Sequence, residues 1–246
     1  MNPTDDCLLK SLLAEKRLSY GGGIYRYTQV AFAYHSCAID GGELTYEQVE
    51  SLYDAYTVPT QQGDVVSVGD IMTAFNHFAL FDVMLEGAKG PLTEEEIKNY
   101  HSVLKRGTID ERRRWFAVGD YKRLPNEVGG MDTTAPENVG AEMKKLLAEY
   151  NAIESKTFDD LLDFHYRFER IHPFQDGNGR VGRLLLFKEC LRNNIVPFII
   201  EDDIKMFYYR GLKEWQNERG YLRDTCLAAQ DRFKKYLDYF RVPYDK

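Results

Sequence analysis

The stretch TFDDLLDFHYRFERIHPFQDGNGRVGRLLLFK, residues 157–188, determines how the middle of the chain folds. Its first half repeats residues at a spacing of three and four, which predicts one face of a helix: Phe158, Leu161, Leu162, His165, Phe168 and Ile171. The same spacing resumes at Val181, Leu184, Leu185 and Lys188. Between the two patterns lie Asp-Gly and Asn-Gly pairs, which favour turns. The stretch therefore predicts two helices joined by a short polar loop.

Helical spacing also dominates the rest of the sequence. Thr45 and Gln48 have the spacing of a capping box, and so do Thr93 and Glu96. Further helices are predicted at about 67–86, 136–150, 201–217 and 221–240. Strand-like alternation is nearly absent, so the sequence predicts an all-α helical bundle.

One segment departs from the helical pattern. Residues 124–138, here called the flap, are rich in Gly, Pro, Asn and Thr, which predicts an exposed loop or a short β-hairpin. We expect an N-terminal helical segment at residues 1–60 and a core with the C-terminal helices at residues 61–246, packed as one compact unit. The glycines of YGGGIYRY, residues 20–27, predict a joint behind the N-terminal segment.

Composition excludes several classes of function. The formal net charge is −7, so unspecific binding to nucleic acid or to an anionic membrane is not expected. Acidic residues stand where a signal peptide would carry lysines, and no apolar run is long enough to span a bilayer. The four cysteines lack C-x-x-C spacing, which indicates neither a zinc site nor a disulfide framework. These observations predict a cytoplasmic protein with reduced thiols.

The glycine-rich loop has the features of a phosphate site. Gly177, Asn178 and Gly179 precede a helix, so its unpaired N–H groups could approach phosphate oxygens closely. Arg180 and Arg183 share the first turn of that helix, where cations oppose the helix dipole unless an anion lies between them. The residues therefore predict an anion, such as a triphosphate, beside the loop.

Two more side chains of the loop indicate chemistry. Asp176 is suited to hold Mg²⁺, which keeps most of its waters and takes one or two protein oxygens. His172 could accept a proton from a hydroxyl near pH 7. Alternatively, a His-Pro pair and two turns only separate two helices, with Phe174 as a core anchor. The combination of acid, base, glycines and arginines in one window favours the phosphate site.

The segment HPFQDGNGRVGR, residues 172–183, resembles the signature H-x-F-x-(D/E)-G-N-G-R-x-x-R of Fic-domain proteins at every defining position. PLTEEEIKNYHSVLKRG (91–107), FHYRFERIHPF (164–174) and MFYYRGLKEW (206–215) also resemble Fic segments in the same order, so the resemblance covers most of residues 30–240. It implies the Fic fold and AMPylation, in which AMP passes from ATP to a Ser, Thr or Tyr hydroxyl of a target protein. This chain itself is one candidate target.

The resemblance also implies roles for the loop residues. His172 would be the general base, and Asp176 would bind the Mg²⁺ that bridges the α and β phosphates. Arg180 would contact the β phosphate and Arg183 the γ phosphate. The anion cradle would consist of Gly177, Asn178 and Gly179. Catalysis would then rest mainly on positioning and on charge stabilisation.

Two further regions of the family have counterparts here. Tyr208, Tyr209 and Gln216 lie where Fic proteins build the adenine pocket, although the family often has Asn in place of Gln216. Aromatic residues at helical spacing are also ordinary core residues. By resemblance, the flap would hold the backbone of the target in an extended form, as in strand addition.

A second Fic pattern, (S/T)-x-x-x-E-(G/N), marks an inhibitory helix, which lies on the N-terminal side in one class. Ser36, Asp40 and Gly41 in SCAIDGGELT, residues 36–45, resemble it, with Asp in place of Glu. In the family this glutamate pairs with the second arginine, here Arg183, and prevents the γ phosphate from seating productively. Aspartate is shorter by about 1.5 Å, so we expect an inward shift of the helix or a longer bond to Arg183.

Either change would weaken the inhibition, and the missing glutamate argues against removal of AMP. The alternative is that these residues form only a helix end with a glycine stop. Two other functions also stay open. One is a Fic transferase with a different donor, such as UMP or phosphocholine, and the other is a nucleotide-binding regulatory module without catalysis. His172 and Asp176 argue against the module, because binding alone needs no base. The sequence identifies neither the target nor its modified side chain, and it leaves a homo-oligomer open.

Overall fold

The computed structural model describes residues 6–129 and 131–244. Within these ranges lie ten α-helices: α1 (Cys7–Leu18), α2 (Ile24–Ile39), α3 (Tyr46–Ala55), α4 (Val68–Glu86), α5 (Glu94–Lys105), α6 (Pro136–Asn151), α7 (Phe158–Ile171), α8 (Asn178–Arg192), α9 (Lys205–Glu214) and α10 (Gly220–Tyr239). Two 3₁₀ turns, Ile109–Arg112 and Asp202–Ile204, and one hairpin, β1 (Glu127–Val128) with β2 (Met131–Asp132), complete the fold. The all-α prediction with a hairpin flap is confirmed. No helix in the described ranges is both long and apolar enough to cross a membrane.

Threonine side chains set the start of several helices. The Thr45 hydroxyl accepts a hydrogen bond from the Gln48 N–H, and the Gln48 side chain accepts one from the Thr45 N–H, so the predicted capping box is confirmed. The second predicted box is only half formed. Thr93 accepts from the Glu96 N–H, but the Glu96 carboxylate accepts from the Tyr100 hydroxyl instead of returning to Thr93.

Helix α8 lies at the centre of the fold. Its residues 181–191 are all buried, whereas the sequence pattern predicted a helix with one apolar face. Buried charges on α8 have partners: Lys188 Nζ donates to Gly90 O at 2.9 Å and lies 3.3 Å from the carboxylates of Glu96 and Glu189. Such pairing offsets the cost of removing the charges from water. The N-terminal turn of α8, which carries the predicted phosphate residues, is therefore anchored in the core.

Helix α2 joins the same core from the N-terminal region. It packs against α4 and α8, with the ring of Phe32 in contact with Phe81 and Phe187. The joint predicted at residues 20–27 is shorter than expected, because α2 already begins at Ile24. Helix α2 ends at Ile39, so the predicted inhibitory segment is a helix end rather than a helix of its own. Its last turn holds Ser36, Asp40 follows as the C-cap, and Gly41 has φ 92°.

The flap is tied to the loop between α7 and α8. Its cross-strand pairs are Glu127 with Asp132 and Val128 with Met131. The ammonium of Lys122 donates to Asn126 Oδ1 at 2.7 Å and to Thr133 Oγ1 at 2.6 Å, and its main-chain N–H donates to Pro173 O at 2.8 Å. The Asn126 amide donates to Phe174 O at 3.0 Å. These bonds hold the hairpin beside the loop.

Candidate active site

His172 ends α7 in a left-handed conformation, with φ 51° and ψ 61°. Residues other than glycine rarely adopt this conformation, so the surroundings must hold it. On one side, the following Pro173 carbonyl accepts the hydrogen bond from Lys122. On the other, the fully buried ring of Phe174 stacks on His101 of α5, with centroids 4.0 Å apart. The turn that presents His172 is thus fixed by the flap and by the core.

The buried side chain of Asn178 stabilises the loop through hydrogen bonds to its backbone. Its Oδ1 accepts from the Phe174 N–H at 2.7 Å, and its Nδ2 donates to Phe174 O at 2.8 Å. The side chain is buried, so only the backbone of Asn178 can contribute to the predicted anion cradle. Helix α8 starts at Asn178, two residues earlier than the predicted start near Arg180. The N–H groups of its first turn therefore lie within the glycine-rich loop.

Glycine is required at residues 177 and 179 for two different structural reasons. Gly177 has φ 86°, a conformation that favours glycine. Gly179 lies where two functional side chains meet: a Cβ there would stand 2.8 Å from Arg183 Nη1 and 3.0 Å from Asp40 Oδ1. The absence of a side chain at residue 179 lets the backbone, the guanidinium and the carboxylate come together.

The carboxylate of Asp40 lies between Arg180 and Arg183, at the position where the sequence predicted an anion such as a triphosphate. Asp40 Oδ1 lies 2.9 Å from Arg183 Nη2, and Asp40 Oδ2 lies 3.0 Å from Arg180 Nε. The contact with Arg183 is a hydrogen bond, whereas the Arg180 Nε–H is not aimed at the oxygen, so that contact is an ion pair only. Both arginines are buried.

Ser36 completes the partners of Arg183. Its hydroxyl accepts from Nε at 3.0 Å, and its carbonyl accepts from Nη2 at 2.7 Å. Of the two expected consequences of the shorter aspartate, a longer bond to Arg183 is not observed, since 2.9 Å is an ordinary distance. The two oxygens of Asp40 contact different arginines, so Asp40 and Arg183 do not form a bidentate pair.

Asp176 is held between two cations. Its Oδ2 forms an ion pair with Lys105 and lies 3.1 Å from Arg180 Nη2. Burial alone would raise the pKa of Asp176, but Arg180 and Lys105 together hold it well below its usual range. The described residues contain no group of three or more His, Cys, Asp and Glu side chains that could hold a metal ion. The single carboxylate of Asp176 fits a Mg²⁺ ion that is bound mostly by phosphates and water.

The imidazole of His172 is neutral near pH 7. Burial lowers the pKa of His172 below its ordinary value of 6.5. Its Nδ1 lies 3.3 Å from Glu169 O, and a carbonyl can only accept, so Nδ1 carries the proton. The lone pair is then on Nε2, which suits this nitrogen to accept a proton.

A cavity of about 750 Å³ brings most of the predicted residues together. This volume lies in the range of sites that enclose small ligands, about 300–1,000 Å³. The predicted site residues that line it are Asp40, His172, Asp176, Gly177, Asn178, Gly179, Arg183, Tyr208 and Tyr209. Arg180 lines a smaller cavity of about 200 Å³, which shares Asp40 and Asp176 with the large one. The flap contributes Val128 and Gly129 to the large cavity.

The three residues expected around adenine are not equivalent. Tyr208 is buried, with its hydroxyl 2.7 Å from His165 Nε2, and Tyr209 donates to Ile39 O at 2.8 Å. Gln216 is exposed and does not line the cavity. Because α9 ends at Glu214, the structure does not bring Gln216 to the two tyrosines.

Three residues beside the loop were not predicted from the sequence as site residues. His101 Nε2 lies 3.1 Å from Asp176 O, and its Nδ1 accepts from the Gly119 N–H at 3.0 Å. Lys105 pairs with Asp176, and Glu169 lines the large cavity. His101 and Lys105 continue at intervals of four residues the apolar stripe that begins at Ile97. A polar residue on the buried face of a helix is unusual, so this spacing could have identified His101 and Lys105 as candidate site residues.

Comparison with known proteins agrees with this geometry. Residues 91–189, which include α5, the flap and the loop, match the model of the Fic/DOC family. The chain is 26% identical over 235 residues to the protein adenylyltransferase fic-1 of Caenorhabditis elegans, covering 89% of this chain and 43% of that protein. It is also 26% identical over 215 residues to the protein adenylyltransferase Fic of Drosophila melanogaster, covering 84% of this chain and 41% of that protein. The chain thus spans less than half the length of these relatives.

A solved structure shows the same architecture. The crystal structure of a Fic domain containing signaling protein from Bacteroides thetaiotaomicron VPI-5482 matches with a TM-score of 0.69 and 25% sequence identity. The match covers 94% of this chain and 90% of that chain. The match therefore extends well beyond the segment matched by the family model.

Proposed function

We propose that this chain, which carries a Fic domain at residues 91–189, transfers AMP from ATP to a Ser, Thr or Tyr hydroxyl of a target protein. Relatives that align over most of the chain are protein adenylyltransferases. ATP would occupy the 750 Å³ cavity, with its phosphates at the glycine-rich loop. The target is another protein or a second copy of this chain.

The observation that carries the proposal is the position of the Asp40 carboxylate. It lies between the guanidinium groups of Arg180 and Arg183 and beside Gly179. An anion held by two arginines of the first helical turn marks where a phosphate group can be held. His172, a neutral base, lines the same cavity, so the base and the anion site serve one ligand.

The residues support an in-line displacement at the α phosphorus. The target hydroxyl oxygen forms a bond to this phosphorus while the bond from phosphorus to the bridging oxygen of pyrophosphate breaks. The hydroxyl proton passes to Nε2 of His172, because Nδ1 already carries a proton toward Glu169 O. Arg180 and Arg183 stabilise the negative charge of the departing pyrophosphate. Mg²⁺, when bound, would be held by Asp176 and would neutralise phosphate charge.

Asp40 would restrain this reaction in the chain as it stands. A γ phosphate that reaches Arg183 has to replace the Asp40 contact at 2.9 Å. Ser36 would keep the guanidinium oriented after the carboxylate leaves, because it binds Nε and Nη2 independently. The restraint is therefore a competition between two anions for one pair of arginines.

The flap would hold the target beside the base. Val128 and Gly129 border the cavity that His172 also lines, so an extended segment paired along the hairpin would place a hydroxyl within reach. Lys122 and Asn126 fix the hairpin to Pro173 and Phe174, which belong to the loop itself. Target position and base position would therefore be set by one connected unit.

Labelled ATP, Mg²⁺ and a cell lysate test the proposal, with His172→Ala as the matched control. Label on protein with the wild-type chain, lost in His172→Ala, supports the transfer of AMP. Binding of ATP without transfer by either chain indicates a regulatory module instead. Stronger labelling from a UMP or phosphocholine donor would assign another donor, an outcome that matters because Gln216 does not line the cavity.

A further inference from the structure

Glu169 is a cavity residue that the transfer described above does not use through its side chain. It lies in α7 three residues before His172 and lines the cavity together with Arg183 and Tyr208. Its Oε1 is buried and has no hydrogen-bond partner among the described residues. Gly182 of α8 makes this position possible, since a Cβ there would stand 2.3 Å from Oε1. The packing of α7 on α8 thus leaves a carboxyl oxygen unused at the cavity.

The surroundings of Glu169 favour its neutral form. Burial raises the pKa of Glu169 to about 7, although Arg183 opposes this, and Asp40 raises it further. From α9, the hydroxyls of Tyr208 and Tyr209 face the same region, and burial raises the pKa of both, so they are neutral there. A large fraction of Glu169 is therefore protonated near pH 7 and has a proton to donate.

We propose that Glu169 binds the polyphosphate of the nucleotide as a neutral acid, donating a hydrogen bond to a phosphate oxygen beside Arg183. The inference rests on the proposed function, because it requires a nucleoside triphosphate in the cavity. An ionised carboxylate at this position would repel the ligand, whereas a protonated one supplies a donor that fits an anion. The added negative charge of the phosphates disfavours ionisation further. Nucleotide binding is therefore coupled to uptake of a proton by Glu169 above pH 7.

The test measures the dissociation constant of ATP with Mg²⁺ between pH 6 and 8.5, by calorimetry on the full chain. Glu169→Gln keeps the shape and a donor but cannot ionise, so it is the reference. We expect equal affinities at pH 6 and a weaker wild type at pH 8.5, by about 30-fold, since affinity falls tenfold per unit above a pKa of about 7. Protonation of ATP, His172 and Lys122 affects both chains alike and cancels in their ratio.

Two more variants keep the test decisive. Glu169→Met removes the donor and is expected to bind weakly at every pH. Glu142→Gln changes an exposed carboxylate of α6 that does not line the cavity, and it is expected to follow the wild type. A wild-type to Glu169→Gln ratio that stays constant with pH overturns the inference and leaves the proposed function intact, because ATP then still binds. Absence of ATP binding by the wild type at every pH overturns both.

Discussion

The Asp40 carboxylate accepts a hydrogen bond from Arg183 Nη2 at 2.9 Å across 143 residues of the sequence. Arg183 belongs to the segment that matches the Fic/DOC family model, whereas Asp40 and Ser36 lie outside it. Helix α2 therefore completes, from another part of the chain, a site whose other parts are local to residues 172–183. The structure of the resting site depends on this one helix end.

Removing the Asp40 carboxylate is expected to raise the activity. In Asp40→Gly the two arginines lose their internal anion, so the phosphates of ATP no longer compete for them. Hydrogen bonds to charged groups contribute about 1.5–3 kcal/mol, which corresponds to a rise of about 10- to 150-fold in self-modification at subsaturating ATP. The measurement is the initial rate of label incorporation from ATP.

Two further substitutions at this position separate charge from shape. Asp40→Asn keeps the shape and loses the charge, so we expect a rate between wild type and Asp40→Gly. Asp40→Glu tests the hypothesis that the shorter side chain weakens the inhibition. The ordinary length of the contact with Arg183 indicates that the difference between Asp and Glu is small. Equal rates for wild type, Asp40→Glu and Asp40→Gly would contradict any inhibitory role of Asp40.

The pH profile of the transfer should identify the base. Burial lowers the pKa of His172 below 6.5, so the neutral, active form persists into mildly acidic solution and is lost only as pH falls through this lowered value. We expect the rate in the Asp40→Gly background to decrease with a midpoint below pH 6.5. His172→Ala should lower the rate about 100- to 10,000-fold with ATP affinity retained. An acidic midpoint at or above 6.5 would argue that another group is titrating.

Features with local causes were predictable from the sequence. The Thr45 cap, the two helices around the loop and the turn at Gly177 depend on residues within four positions of each other, and the structure contains all of them. The position of two cations at a helix start indicated an anion between Arg180 and Arg183, but not that Asp40, from another part of the chain, lies there.

Features set by tertiary contacts were not predictable. The Glu96 side chain left its predicted box because Tyr100 and the buried Lys188 offer it partners. The helical pattern predicted a helix that continues to residue 217, but α9 ends at Glu214. Gln216 therefore lies outside the cavity. Lys105 was overlooked since its charge, which the sequence assigns to the surface, is satisfied by Asp176 and Asp110 inside the fold.

Replacing Lys122 is expected to lower transfer to the target protein without weakening the binding of ATP. Its ammonium joins Asn126 and Thr133 across the base of the flap, and its backbone holds Pro173. Lys122→Met would loosen the hairpin and lower transfer to a protein target by about tenfold, the effect of losing about 1.4 kcal/mol of charge-assisted bonding. The ATP dissociation constant should stay close to that of the wild type.

The neighbouring Arg123→Met serves as its control, because Arg123 is exposed and, among the described residues, its side chain hydrogen-bonds only to Arg114 O, at a long 3.4 Å. Transfer and ATP binding should both be unchanged in this variant. If Lys122→Met weakened ATP binding as much as transfer, the flap would be part of the nucleotide site rather than a holder of the target.

The contact between α9 and α10 depends on Gly211. A Cβ at residue 211 would stand 2.5 Å from the Cα of Leu222 and 2.7 Å from its N, both backbone atoms of α10. Gly211→Ala therefore forces the two helices apart and is expected to lower the free energy of unfolding by about 1–3 kcal/mol, as overpacking does.

Gly140 in α6 is the matched control for Gly211, since a Cβ built there has no atom of the described residues within 4 Å, apart from its chain neighbours and the nearby backbone of its own helix. Gly140→Ala should raise the free energy of unfolding by about 0.5–1 kcal/mol, because alanine has the higher helix propensity. Urea unfolding followed by circular dichroism measures both effects. Tyr208 and Tyr209 belong to α9, so Gly211→Ala should also weaken ATP binding, whereas Gly140→Ala should not. A Gly211→Ala chain as stable as the wild type would mean that α9 can shift without cost, and the cavity wall it forms would then not be rigid.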